Sequence, residues 1–296
     1  MTIMNRVLNY FNNGYIFMIL SALFFCLMTV FVKLAGESVP TIQIVFIRGV
    51  ITFLFIYIII IIKGIYLWGS NRFLLSIRGL TGSVALFFVY ESIQRFPLSD
   101  STVIQYLYPI FTTLLASVIL SESLNKSIIF SVFLGFSGVY IILGMPYIGL
   151  ESSSFKLSNI IIAIAGSFLT GLAYVLVRLS SNMKESPYII MFYFPLFTVP
   201  LSMPFAFYSW VGPSFKTWII LLFVGIFTML GQFFLTFSYK LLPASRVAPV
   251  SYIQVPFSVL ASMIVFKESL SFDFVIGSTI IFLSILIIVN SRVKSI

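Results

Sequence analysis

Ser101, Gln105, Tyr108 and Thr112 stand at i, i+4, i+7 and i+11 of one apolar run, a spacing that gathers all four on a single helical face. Shifted by 146 residues, the same face reads Val247, Ser251, Gln254 and Ser258. Amides and hydroxyls aligned in this way can hold the polar groups of a solute, because turning them towards lipid is costly. They serve equally well as hydrogen-bonding groups between helices. Two charged residues also fall inside apolar runs, Arg48 and Glu91. They are read as a structural charge pair, as a coupling or substrate role for Glu91, a carboxylate that releases and takes a proton, or as charges exposed to an outer vestibule. Tyr90, Tyr174, Gln232 and Tyr239 would complete a cavity whose aromatic faces attract cationic or flat solutes. Tyrosines are also the residues of interfacial belts and packing.

Other chemistry is excluded by what the chain lacks. With no histidine, imidazole bases and His-ligated metals are absent. The single Cys26 permits neither an intramolecular disulfide nor a cysteine-ligated cluster and is expected as a small buried hydrophobe. The acidic residues Glu37, Glu91, Asp100, Glu122, Glu151, Glu185, Glu268 and Asp273 form no cluster, so a metal-dependent enzyme would lack its ligands. No glycine-rich phosphate loop exists to drive a primary pump. Gly79 with Gly82, and Gly135 with Gly138, are read as close helix-packing positions. No enzymatic activity, cofactor or metal is expected. The net charge of +9 comes from basic residues placed singly at the ends of apolar runs. They are topology signals, and no nucleic-acid partner is expected.

The elements that carry these residues follow from composition. Of 296 residues, 60% are hydrophobic and 8% charged, which a soluble core cannot absorb, so the chain is read as an all-α integral membrane protein in a lipid bilayer. Breaks at Gly36 and Pro40, Gly64 and Gly69, Pro97, Asn125, Pro146, Pro187, Gly212 and Pro213, Pro243, and Asp273 divide it into ten expected helices. They run over about 15–35, 41–63, 72–95, 99–121, 128–145, 158–181, 187–209, 216–239, 245–266 and 273–291. Pro109, Pro249 and Pro256 interrupt the fourth and ninth, freeing carbonyls or forming hinges. Pro195, Pro200 and Pro204 are read as kinks in the seventh.

The chain repeats itself. At the constant offset of 146, eight of the 28 positions from Pro97 to Leu124 are identical to those from Pro243 to Leu270, an internal duplication. A five-helix unit is odd, so its second copy enters the membrane upside down. Residues 1–148 and 149–296 are read as inverted repeats, an arrangement typical of secondary transporters with a site near the midplane. Glu122 and Glu268, each directly after its repeated helix, are expected to cap the next helix. With both termini cytoplasmic, eleven basic residues lie inside: Arg6, Lys63, Arg72, Arg78, Lys126, Arg178, Lys184, Lys240, Arg246, Arg292 and Lys294. Five lie outside, and that asymmetry favours this orientation.

The passage ending Phe46-Ile47-Arg48, the run from Arg95-Phe96-Pro97 through Tyr108-Pro109 to Ser121-Glu122, and the run from Gly231-Gln232 through Pro243-Ala244-Ser245 to Lys267-Glu268 resemble the drug/metabolite transporter superfamily, EamA type. The resemblance covers nearly the whole chain. It implies a secondary active transporter working by alternating access in the plasma (inner) membrane, with a cavity between helices 1, 3, 4, 6, 8 and 9. It also implies a small-molecule substrate such as an amino acid, a nucleotide-derived solute or a drug, often coupled to protons. A monomer or homodimer is expected. The alternative is a membrane scaffold or lipid-handling protein that moves no solute.

Overall fold

The computed structural model describes residues 3–95, 104–143, 157–267 and 272–291. Among them there is no strand. The helical elements in chain order are α1 Ile3–Gly36, α2 Thr41–Ile62, α3 Arg72–Arg95, α4 Tyr108–Ile119, α5 Lys126–Ile142, α6 Leu157–Asn182, α7 Pro187–Tyr208, α8 Phe215–Leu241, α9 Ala244–Phe266 and α10 Phe272–Asn290. Eight of them contain stretches long and apolar enough to cross a bilayer, and α4 and α5 are shorter apolar helices. The surface agrees with lipid as solvent: Ile62, Phe73, Val118 and Phe215 are each more than 75% exposed, an outward apolarity that water would not tolerate over so many positions.

The expected boundaries hold to within a few residues except in α1, which begins at Ile3 and so takes in twelve residues before the expected start at 15, and in α4; α9 keeps its bounds but not its uniformity. The expected start of the fourth helix, from residue 99, lies partly outside the described residues; the structure has a turn at Tyr106 and Leu107, and α4 then runs only to Ile119. The ninth helix is not uniform. An α-turn at Ala244–Val247 passes into a 3-10 segment, Ala248–Ile253, before α-geometry resumes from Gln254 to Phe266. Pro249 lies in the 3-10 segment and Pro256 just after it, and each removes an N–H that a continuous α-helix would use. By contrast α7 continues through Pro195, Pro200 and Pro204.

Packing follows a pattern of exchanged partners. α1 lies along α8, and α3 along α6; α2 touches α8, and α3 touches α7; α1 touches α9, and α4 touches α6. The pairs α2 with α7 and α5 with α10 also pack closely. An aromatic seam joins α1 to α8, where Phe17, Phe24 and Phe31, seven residues apart, meet Phe234, Phe227 and Phe223 with centroids 5.2 to 6.2 Å apart. Along it, the Ser21 hydroxyl donates to Gly231 O at 2.9 Å and that of Ser238 to Gly14 O at 2.7 Å.

Where α5 crosses α10, a Cβ on Gly138 would lie 2.7 Å from Gly277 O, and one on Gly277 2.5 Å from Gly138 O. The expected role of Gly138 as a packing position is therefore met by a close backbone approach that only glycine permits. Cys26 is buried, as expected.

Ser121 and Lys267 stand 146 residues apart, and both adopt the left-handed region, at φ 55° and 56°. A non-glycine residue is rarely held there, so α4 and α9 each end on local strain at the matching residue.

Candidate functional site

The turn before α4 and the helices α1, α2, α3, α6, α7, α8 and α9 enclose a cavity of about 180 Å³. Of the residues expected at such a site, Gln105, Tyr108, Tyr174, Gln232, Gln254 and Arg48 line it. The expected cavity helices are thus brought together, with α2 and α7 added.

Three members of the expected polar stripes do not reach it. Thr112 is fully buried, its hydroxyl donating back to Tyr108 O at 2.7 Å. Ser251 accepts from the Tyr108 hydroxyl at 2.6 Å and donates to Ala248 O at 2.6 Å. Ser258 lies farther along α9 and is not in the lining. Serine and threonine can hydrogen-bond the carbonyl one turn back, and that local partner competes with a cavity role. The Tyr90 side chain lies outside what the structure describes.

Arg48 and Glu91 are not a pair. Arg48 is 6% exposed and donates to Met28 Sδ at 3.5 Å, whereas the Glu91 side chain is exposed and outside the cavity lining. Tyr239 is fully buried and also outside the lining. It is the far end of an aromatic series from the cavity wall: Tyr106 to Tyr108 at 6.1 Å, Tyr108 to Tyr174 at 5.4 Å and Tyr174 to Tyr239 at 5.5 Å.

Of the two charged residues in the lining, one was not expected there. Arg78, counted from sequence as a cytoplasmic topology charge, is 2% exposed and faces the cavity. Its Nε and Nη1 have no hydrogen-bond partner, and its guanidinium lies 5.1 Å from the ring centroid of Phe194. The signal was present in the sequence: Arg78 stands six residues after the start of α3 at Arg72, inside a stretch able to span a bilayer, as Arg48 does in α2. Gln232 contributes the opposite polarity, since its Oε1 is buried without a donor.

A second polar centre lies at one end of the bundle. Glu122 does not cap the next helix, α5, which is capped by the Asn125 side chain accepting from Ile128 N at 2.8 Å. Its carboxylate reaches into the other half and accepts from Ala244 N at 2.8 Å, Ser245 N at 2.9 Å and Ser245 Oγ at 2.7 Å, at the start of α9. Three donors converging on a carboxylate at a helix start are favoured by the helix dipole as well. Arg178 Nε stands 3.8 Å from the same carboxylate, and Arg178 Nη1 donates to Tyr239 O and Lys240 O. Glu268, the counterpart of Glu122, lies outside the described residues.

A reciprocal link runs the other way, with Glu185 accepting from Ser70 N and Asn71 N before α3. Among the described residues, no cluster of His, Cys, Asp and Glu could hold a metal.

Comparison with known proteins gives this geometry a context. The EamA-like transporter family model matches residues 12–144 and again 157–290. The chain is 26% identical to the pseudopaline exporter CntI of Pseudomonas aeruginosa, over 85% of this chain and 87% of that protein. It is also 26% identical to the S-adenosylmethionine uptake transporter of Rickettsia prowazekii, over 99% and 97%. A solved crystal structure superposes with a TM-score of 0.80 at 16% identity, covering 93% of this chain and 96% of that one, a likeness of fold.

Proposed function

The chain belongs to the EamA-like transporter family, and we propose that it is a secondary active transporter that carries a small organic metabolite by alternating access. The observation that carries this reading is the cavity itself. It is walled by polar and charged side chains from both segments matched by the family model, Arg78 and Gln105 from the first, Tyr174 and Gln232 from the second. A scaffold that binds no ligand would have no use for a guanidinium kept buried beside such a space.

We further propose that the two segments are inverted repeats. Three features support this: the double family match, the exchange of helix partners between halves, and the twin left-handed residues Ser121 and Lys267. The rocking of one such repeat against the other exposes a midplane site to alternate sides. With Arg78 moved from the cytoplasmic count to the cavity, ten basic residues against five still favour cytoplasmic termini in a plasma (inner) membrane. Glu91 is the proposed coupling carboxylate. If Glu91→Gln leaves transport and its pH dependence unchanged, that role is removed.

The test is a thermal-shift screen of the purified protein against amino acids, nucleotides and cationic drugs, followed by flux in proteoliposomes under an imposed pH gradient. A stabilising solute is expected to cross the vesicle membrane, and the assay reads its direction. Failure of every stabilising solute to cross overturns the transporter reading.

A further inference from the structure

We propose that the transported solute is an organic anion whose carboxylate or phosphate group is held in the cavity by Arg78 and Arg48. The inference rests on the transporter reading for the word transported, but the binding site stands on its own geometry. Both guanidiniums are more than nine-tenths buried and both line the same cavity. They border a common ring: Arg78 lies 5.1 Å from the Phe194 centroid, and Arg48 and Phe194 together line a smaller cleft that adjoins the cavity.

Neither is neutralised by a carboxylate among the described residues. Arg48 donates only to the weak acceptor Met28 Sδ, and Arg78 Nε and Nη1 have no acceptor. The described carboxylates are accounted for elsewhere. Glu122 and Glu185 hold backbone N–H groups at the bundle end, Asp273 lies in the first turn of α10, and Glu37 and Glu91 are exposed. A guanidinium stays charged in proteins, and two of them buried without a counter-ion are unfavourable in the absence of a bound anion. The fork of donors on arginine fits a carboxylate or phosphate in two-point contact.

The rest of the wall describes the remainder of the solute. Tyr106, Tyr108 and Tyr174 offer aromatic faces to a carbon skeleton, and Gln232 Oε1 offers an acceptor to an N–H or O–H on it.

The experiment uses the full chain purified in detergent. The probes are benzoate and succinate, each against its uncharged amide, together with inorganic phosphate and vesicles of phosphatidylcholine with or without phosphatidylglycerol. The readouts are thermal stabilisation and Kd. At least one free anion is expected to stabilise the protein where its amide does not. Arg78→Gln and Arg48→Gln are each expected to weaken that anion by about 10- to 100-fold, and Arg78→Lys by less than Arg78→Gln.

Ligand-free Arg78→Gln is expected to melt at the wild-type temperature or above, because an unpaired buried charge has been removed. Equal stabilisation by the amides, wild-type anion affinity in Arg78→Gln, or a lower melting temperature of that variant without ligand would each overturn the proposal. So would protection by phosphatidylglycerol vesicles alone, which assigns the arginines to a lipid headgroup. Proteoliposomes separate this proposal from the transporter reading. Anion binding without flux removes the transporter and keeps the site, whereas flux of uncharged or cationic solutes without anion binding does the reverse.

Discussion

Two pairs of arginines lie inside this bundle in opposite circumstances. At the end of the bundle, Arg178 donates to the carbonyls of Tyr239 and Lys240 beside Glu122, and Arg246 donates to Ser291 O at 2.9 Å. At the centre, Arg48 and Arg78 face a cavity with almost nothing to receive their protons. The same side chain thus holds the fold together in one place and waits on a ligand in the other. The difference is in the acceptors around it rather than in its burial, since Arg246 at 5% exposure is as enclosed as Arg48 at 6%.

That contrast can be broken by mutation. The largest effect is expected for Glu122→Ala, which strips three hydrogen bonds from the start of α9; thermal or chemical unfolding in micelles should register a loss of about 3 kcal/mol or more. A smaller loss, about 2 kcal/mol, is expected for Arg246→Met, where one charged donor to Ser291 O disappears. If Arg246→Met proves neutral while Arg78→Gln destabilises, the assignment of structural and ligand arginines is reversed. Tyr108→Phe leaves Ser251 without one donor and should cost about 1 kcal/mol in the same unfolding assay. The smallest term is the coupling between Arg178 and Glu122. At 3.8 Å between partly accessible groups, a double-mutant cycle should return less than about 1 kcal/mol, which would show that Glu122 acts through its backbone partners.

Much of the helical layout was legible because glycine, proline and asparagine mark its breaks, and because lipid demands apolar runs of a fixed length. Gln105, Tyr108, Tyr174, Gln232 and Gln254 were legible for a related reason: a polar side chain in such a run must face something polar. That logic fails where the polar partner is the residue's own helix, as it is for Thr112, or a neighbouring tyrosine, as it is for Ser251. It also failed for Arg78, counted as an end charge although it stands six residues inside α3; its burial against Phe194 then sets it apart from Arg72. The span of Glu122 across to Ala244 was not legible at all, because no local rule links residues 122 positions apart.

The 3-10 segment of α9 stores length. A 3-10 residue advances about 2.0 Å along its axis and an α-residue about 1.5 Å, so the six residues of Ala248–Ile253 make the rod about 3 Å longer than a uniform helix would be. One end of that rod is pinned at Ala244 and Ser245 by Glu122, and Gln254 at the wall of the cavity follows the segment directly. Winding the segment up into α-geometry would draw Gln254 towards the pinned end as a short piston stroke, and unwinding would push it back.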